Sequence, residues 1–232
     1  NIGQKMAVVG RNGSGKTTMI KLLCRLYDPT EGFITLNGID IRKYNRTAFY
    51  RLFSAVFQQF SILPVTIAEI VSETTPENID YNKVKRCLIV AGLWNKIEQL
   101  TNGVNSQFGK TIYDDGVEFS GGEIQKLLLA RAMYKNAPVM LLDEPTAALD
   151  PIAESTLYGN YNQISFQKTT VFVSHRLAST SFCDRIILIE NGKICEEGSH
   201  NELLKQNGTY RMLFETQAKY YKNNLDKTEG AE

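Results

Sequence analysis

The sequence is short of the residues on which several kinds of chemistry depend. It has two histidines, His175 and His200, and four cysteines, Cys24, Cys87, Cys183 and Cys195. No two cysteines stand at CxxC spacing, so a zinc site is not expected, and their scatter suits reduced thiols in a cytosolic compartment. No charge of one sign dominates: 26 Lys and Arg against 25 Asp and Glu leave a net charge of +1. That argues against a broad electrostatic grip on nucleic acid or anionic lipid. A run of about 20 apolar residues, the length that crosses a bilayer, is also missing. The most apolar segment, Phe53 to Val71, is broken by Gln58, Gln59, Pro64 and Glu69. No signal-peptide pattern is read, and the chain opens on Asn1 rather than methionine, as a fragment would. Internal repeats and low-complexity tracts are lacking too. Three N-x-S/T sequons, at Asn12, Asn45 and Asn207, read as chance.

What is present describes an ordinary globular chain. Its 232 residues are 43% apolar and 22% charged, and a chain of this mass buries roughly 70% of its extended surface. Lys5 to Gly10 reads as a buried strand running into glycine, and Thr17 to Tyr27 as a helix with a broad apolar stripe. Asp28-Pro-Thr-Glu-Gly32 stops that helix. Asn37-Gly38 and Asn191-Gly192 each mark a hairpin, within Gly32 to Ile41 and Arg185 to Glu197. Leu52 to Phe57, Val139 to Leu142 and Thr169 to Val173 read as further strands. From Ile67 to Tyr134 the pattern is mainly helical, with loops near Thr74–Pro76 and Thr101–Gly122. Asp150-Pro151 opens a helix, and helices follow at Ser199–Lys205 and Tyr210–Tyr221. The tail from Lys222 to Glu232 is polar and expected to be disordered. Strands alternating with helices predict an α/β fold with a parallel sheet and an inserted helical subdomain.

Three motifs carry chemistry. Gly10-Arg-Asn-Gly-Ser-Gly15-Lys16-Thr17 fits G-x-x-x-x-G-K-[ST] between a strand and a helix. Glycines let successive N–H groups face one anion, and the following helix start adds its positive end. Lys16 would reach the β- and γ-phosphates and Thr17 would ligate Mg²⁺. The bland alternative is a glycine-rich turn with a solvated lysine. Val139-Met-Leu-Leu-Asp143-Glu144 puts two carboxylates at the carboxyl end of a buried strand, where parallel sheets carry function. Asp143 would hold Mg²⁺ through water, and Glu144 could polarise an attacking water as general base. Alone, Asp-Glu-Pro could be a simple strand-ending turn. Phe119-Ser120-Gly121-Gly122-Glu123 opens a helix; Ser-x-x-Glu is a capping box, but a cap does not need two glycines. Paired glycines leave N–H groups open to a second anion.

Together these residues resemble the nucleotide-binding domains of ATP-binding cassette (ABC) transporters. Ser120-Gly121-Gly122 resembles the signature motif, and Leu142-Asp143-Glu144-Pro145-Thr146 with Ala147-Ala148-Leu149-Asp150 the Walker B strand and D-loop. Val173-Ser174-His175-Arg176-Leu177 resembles the H-loop and Val56-Phe57-Gln58 the Q-loop. The similarity runs from residue 1 to about 220 in family order.

The resemblance implies a P-loop NTPase core with a small antiparallel β part, an ATPase domain over 1–221 and a helical subdomain over about 66–135. It implies ATP and Mg²⁺ as cofactors. Gly10, Asn12, Gly13, Ser14, Gly15, Lys16, Thr17 and Thr18 would cradle the phosphates; Thr17, Gln58 and Asp143 would hold the metal. Glu144, His175 and Gln58 would be catalytic, Gln58 also linking the site to the helical subdomain. Ser120, Gly121, Gly122 and Asp150 would act across a head-to-tail dimer, since Lys16 and Ser120 are 104 residues apart. Partners would be a second nucleotide-binding domain, identical or not, and a transmembrane domain fused upstream. The chain would sit on the cytoplasmic side of the cell membrane. Ser-His-Arg-Leu and Tyr27-Asp-Pro-Thr-Glu-Gly32 look exporter-like.

Some positions depart from the family. Glu123 replaces the usual glutamine, and Tyr113-Asp114-Asp115-Gly116 stands where exporters often carry Gly-Glu-x-Gly. The family places two strands and an adenine-stacking aromatic before the phosphate loop. Asn1 lies nine residues before Gly10, so an incomplete antiparallel part and weak nucleotide affinity are expected. Three rivals are a soluble ABC ATPase of DNA repair or translation, a non-catalytic half-partner and a GTPase. The first usually has coiled-coil arms or tandem cassettes, which nothing here resembles. The second usually loses Glu144 or His175; the third needs an Asn-Lys-x-Asp that Asn82-Lys-Val-Lys and Asn95-Lys-Ile-Glu fail to supply.

Overall fold

The computed structural model describes residues 3–145, 168–177 and 180–229. Among these, 3–50, 141–144, 168–177 and 180–229 fall in one compact unit, and 51–140 with 145 in a second.

The first unit is built on strand β1 (Lys5–Val9), which leads to helix α1 (Lys16–Leu23). Ala7, Val8 and Val9 are fully buried, as expected of a parallel strand covered on both faces. β6 (Thr169–Ser174) and β7 (Arg185–Glu190) flank β1 in parallel, pairing Val8 with Val173 and Ile187. β8 (Lys193–Gly198) returns antiparallel to β7. The turn between them holds Asn191 at φ 49° and Gly192 at φ 75°, the two left-handed residues that match a hairpin's twist. The strand order here is β5-β6-β1-β7-β8, where the end of β5 (Val139–Asp143) belongs to this unit. A separate two-stranded antiparallel sheet joins β2 (Thr35–Leu36) to β3 (Ile39–Asp40) across Asn37 and Gly38. The short helix α2 (Arg46–Tyr50) follows. The mainly parallel sheet with a small antiparallel part is the predicted fold class.

Two helices differ in extent from the sequence reading. α1 stops at Leu23 rather than Tyr27 because Arg25 takes φ 56°. Arg25 N–H bonds Leu22 C=O and Leu26 N–H bonds Lys21 C=O, a Schellman ending in which arginine stands where glycine is usual. The Arg25 guanidinium donates to Tyr44 O (2.8 Å) and Arg42 O (3.0 Å), which fixes that conformation. At the other end α8 (Thr209–Glu229) continues past Tyr221 into the polar tail. No proline or glycine interrupts the sequence until Gly230, and polar residues alone do not break a helix. The preceding α7 (His200–Lys205) carries a capping box between Ser199 and Glu202.

The second unit places β4 (Phe53–Val56) beside β5, with Val139 N–H bonded to Leu52 C=O. Helices α3 (Ile67–Ser72), α4 (Tyr81–Val90), α5 (Trp94–Ile97) and α6 (Gly121–Lys135) supply the predicted helical stretch. α3 and α4 pack on α6. Ile67, Val71, Val84, Leu88, Leu127 and Leu128 form the dry centre. No helix of the described residues is long and apolar enough to cross a membrane.

Candidate nucleotide site

The first unit brings most of the predicted phosphate and acidic residues together at the carboxyl ends of β1, β5 and β6. The turn from β1 into α1 begins at Gly10, whose φ is 151°. A Cβ there would lie 2.2 Å from the main-chain oxygen of Ile189 and 2.8 Å from Ser14 Oγ, so only glycine fits. Gly13 and Gly15 take φ 78° and 103°. Gly15 caps α1 without any side chain, so the first-turn N–H groups face outward, as an anion cradle requires. Arg11, Asn12 and Gly13 are exposed on that loop and Thr18 in the first turn of α1, whereas Ser14 and Lys16 are buried.

Lys16 folds back over its own loop. Its Nζ donates to Gly10 O at 3.0 Å and Arg11 O at 2.9 Å. Burial lowers its pKa, and the negative charges of Glu144 and Asp143 oppose that fall. Asp143 closes β5 with 1% of its surface exposed. Neither carboxylate oxygen has a properly aligned hydrogen-bond partner. Burial raises its pKa; the neighbouring Thr17 hydroxyl and the Lys16 charge pull the other way. A carboxylate this buried is normally fully bonded. Two unpartnered oxygens beside a hydroxyl form a hard-oxygen donor set, which fits Mg²⁺.

Glu144 stands just beyond the strand in a left-handed conformation, φ 50°, with its N–H bonded to Val173 C=O at 3.0 Å. That turn points its side chain at His175. His175 Nδ1 lies 3.1 Å from Glu144 Oε1, an ion-pair distance without hydrogen-bond alignment. The Glu144 side chain is 12% exposed and the His175 side chain 41%, so the imidazole's other edge meets solvent.

The second unit carries Gln58, Ser120, Gly121 and Gly122. Gln58 is exposed just after β4. Ser120 Oγ accepts from Glu123 N–H at 3.3 Å, and Glu123 Oε2 accepts from Ser120 N–H at 2.8 Å. The capping box is therefore real, and Lys96 Nζ sits 3.8 Å from the other Glu123 oxygen. Gly121 is exposed at the helix start. Asp150 and the helix read at Asp150-Pro151 lie outside the described residues.

Sequence reading missed one support of the loop. Gly192 N–H donates to Ser14 C=O at 3.1 Å, and Ile189 C=O fills the space beside Gly10. The hairpin signal at Asn191-Gly192 was present, but nothing local linked it to a loop about 180 residues earlier.

The family model for "ABC transporter" matches residues 1–147. An ATP-dependent lipid A-core flippase of Methylobacillus flagellatus is 37% identical over 93% of this chain, which covers 36% of that protein. The flippase of Paraburkholderia xenovorans is 38% identical over 93% of the chain and 35% of its own length. Among solved structures, a bacterial Atm1-family ABC exporter with ATP bound superposes with a TM-score of 0.85 at 31% identity. That match covers 93% of this chain and 37% of the exporter. The chain thus spans little more than a third of the relatives it matches. A family model covering more than half the sequence, joined to relatives above 30% identity along nearly all of it, places this chain in the ABC transporter family, as one of its ATP-binding domains.

Proposed function

We propose that this chain is the ATP-hydrolysing motor of an exporter. The observation that carries the reading is the convergence in one unit of a phosphate loop, an unpartnered buried Asp143 and the Glu144–His175 pair. The outward N–H groups of the Gly10–Thr18 loop, with Lys16, bind the β- and γ-phosphates. Reaching the phosphates takes Lys16 away from Gly10 O and Arg11 O, and burial strengthens every charge interaction it then makes. Thr17 and Asp143 would hold Mg²⁺, and Gln58 would be a third contributor. When bound, the metal neutralises phosphate charge. Glu144 accepts the proton of the attacking water, and its left-handed turn sets the direction of that carboxylate. His175, held beside Glu144, donates to the γ-phosphate.

Ser120, Gly121 and Gly122, with Asp150, complete the site of a second copy or a close homologue. Two domains close head to tail around two ATP; hydrolysis and repulsion between the products open them. This cycle drives a fused transmembrane domain from the cytoplasmic face of a membrane. The flippase and exporter relatives support that role. The cargo is selected in that membrane part.

Glu144→Gln separates binding from chemistry. ATP binding is retained and turnover falls by about 10²–10⁴-fold, the usual weight of a general base. The solution mass of this variant doubles on adding MgATP. Near-normal hydrolysis removes Glu144 from its role, and an unchanged mass removes the self-paired dimer.

A further inference from the structure

The segment carrying His175 is gripped from behind by a residue no motif includes. Gln217 lies on α8, 42 residues beyond His175. Its Nε2 donates to the His175 carbonyl at 2.6 Å, and its Oε1 accepts from Leu177 N–H at 2.9 Å. One carboxamide thus closes around the Arg176 peptide. The orientation of the amide is settled by its partners: a carbonyl can only accept and an N–H can only donate. Within the turn, Ser174 Oγ accepts from Arg176 N–H at 2.9 Å and donates to Arg176 O at 3.2 Å. The loop is therefore fastened on its inner side by Ser174 and on its outer side by Gln217.

The helix that delivers Gln217 is itself anchored. The Glu196 carboxylate of β8 accepts from the N–H groups of Thr209 and Tyr210, capping α8 from a neighbouring strand. Tyr210 is fully buried and its hydroxyl meets His200 Nδ1 at 2.8 Å. Gln217 follows Tyr210 by seven residues, two turns or about 10 Å along the same helix face. Anchor and grip share one stripe.

We propose that Gln217 is a positioning residue for His175, holding its main chain so that the imidazole stays against Glu144. The importance of that geometry to catalysis rests on the function proposed above; the grip itself does not. Glutamate at 217 is nearly isosteric but when ionised keeps only the bond to Leu177 and sets a negative oxygen against the His175 carbonyl. Once protonated, it offers one donor and one acceptor again. Leucine keeps the bulk and helix propensity and removes both bonds.

With only two histidines in the chain, the imidazole signals of His175 are assignable by NMR through loss in His175→Ala. Glu144→Gln should displace them in the wild-type background, because the two side chains are paired. In a Gln217→Leu background the same change should displace them by less than about a third as much. Equal displacement overturns the proposal. In steady-state turnover, Gln217→Glu at pH 8 should lower kcat by about tenfold with KM within about twofold, the signature of a misplaced catalytic group. Wild-type turnover at pH 8 also overturns it. If His175→Ala hydrolyses ATP at the wild-type rate, the functional reading fails, and the NMR comparison still decides whether Gln217 orients the ring. Melting temperatures within about 4 °C of wild type, the span of ~1–2 kcal/mol in a domain this size, confirm that both variants fold.

Discussion

Replacing Asp143 with asparagine tests whether the acidic strand end is held at a cost to the fold. The carboxylate is 1% exposed and neither oxygen is bonded. An unsatisfied buried polar group costs about 1–3 kcal/mol, and more when charged. Asparagine removes the charged share of that cost. It also takes away one of the two carboxylates that attract Lys16, but Glu144, the larger influence, remains. A net gain of about 1–2 kcal/mol is expected, or about 2–8 °C in Tm for a chain of this size. The assay is thermal unfolding followed by circular dichroism at pH 7.5 with chelator and no nucleotide. Burial raises the Asp143 pKa in the folded state, so the folded chain binds this proton more tightly than the unfolded one. The stability it gives is full below the ordinary Asp value of about 4 and is lost as pH rises through the elevated folded value. The gap between variant and wild type is therefore widest at neutral pH and closes in acid. Adding MgATP should reverse the order, because only the wild type gains the linkage term of a fully ligated metal. A variant that melts below wild type in chelator, or a gap that stays constant into acid, would refute the claim that the fold leaves this carboxylate unsatisfied.

Other positions give shorter tests. Gly10→Ala forces a Cβ to 2.2 Å from an immovable main-chain oxygen at φ 151°; overpacking and backbone strain together cost about 2–6 kcal/mol. A calorimetric Tm within 2 °C of wild type would contradict the loop geometry, since about 4 °C is the least that such a loss produces. Ser120→Ala removes the α6 cap for about 1 kcal/mol, a drop of about 2–4 °C, and should abolish the MgATP-dependent mass doubling of Glu144→Gln. Intact dimerisation would place the signature turn outside the interface.

Local chemistry made much of this protein legible. Asn37-Gly38 and Asn191-Gly192 turn where their left-handed backbones predict, and Ala7-Val8-Val9 is as buried as a central parallel strand should be. The capping box at Ser120 and Glu123 also forms as read. The end of α1 was not legible, because Arg25 takes the left-handed region only with Tyr44 and Arg42 to hold its guanidinium. The extent of α8 was hidden by composition, since a polar tail without breakers can be helical. The site was legible as a list of residue types. Its supports were not: the contacts of Gly192 with Ser14 and of Gln217 with His175 join residues roughly 180 and 40 positions apart, which no periodicity encodes.

The costs in this unit fall on a few residues. Lys16 is desolvated, Asp143 is buried without partners, and Glu144 is turned into a left-handed conformation unfavourable to a residue that carries a Cβ. Each is a local violation of what a sequence normally does to fold well. All three share one region, at the carboxyl ends of parallel strands whose apolar pairing is otherwise regular. A fold whose purpose was stability alone would place an aliphatic residue after Leu142, bond the carboxylate or expose the lysine. For the proposed site for phosphate oxygens and a divalent cation the first two departures are gains, because each keeps a charge out of water until the ligand arrives, and the third aims Glu144 at His175. The surrounding β1–β6–β7 pairing holds that arrangement, and Gln217 fastens the main chain on either side of Arg176, next to it.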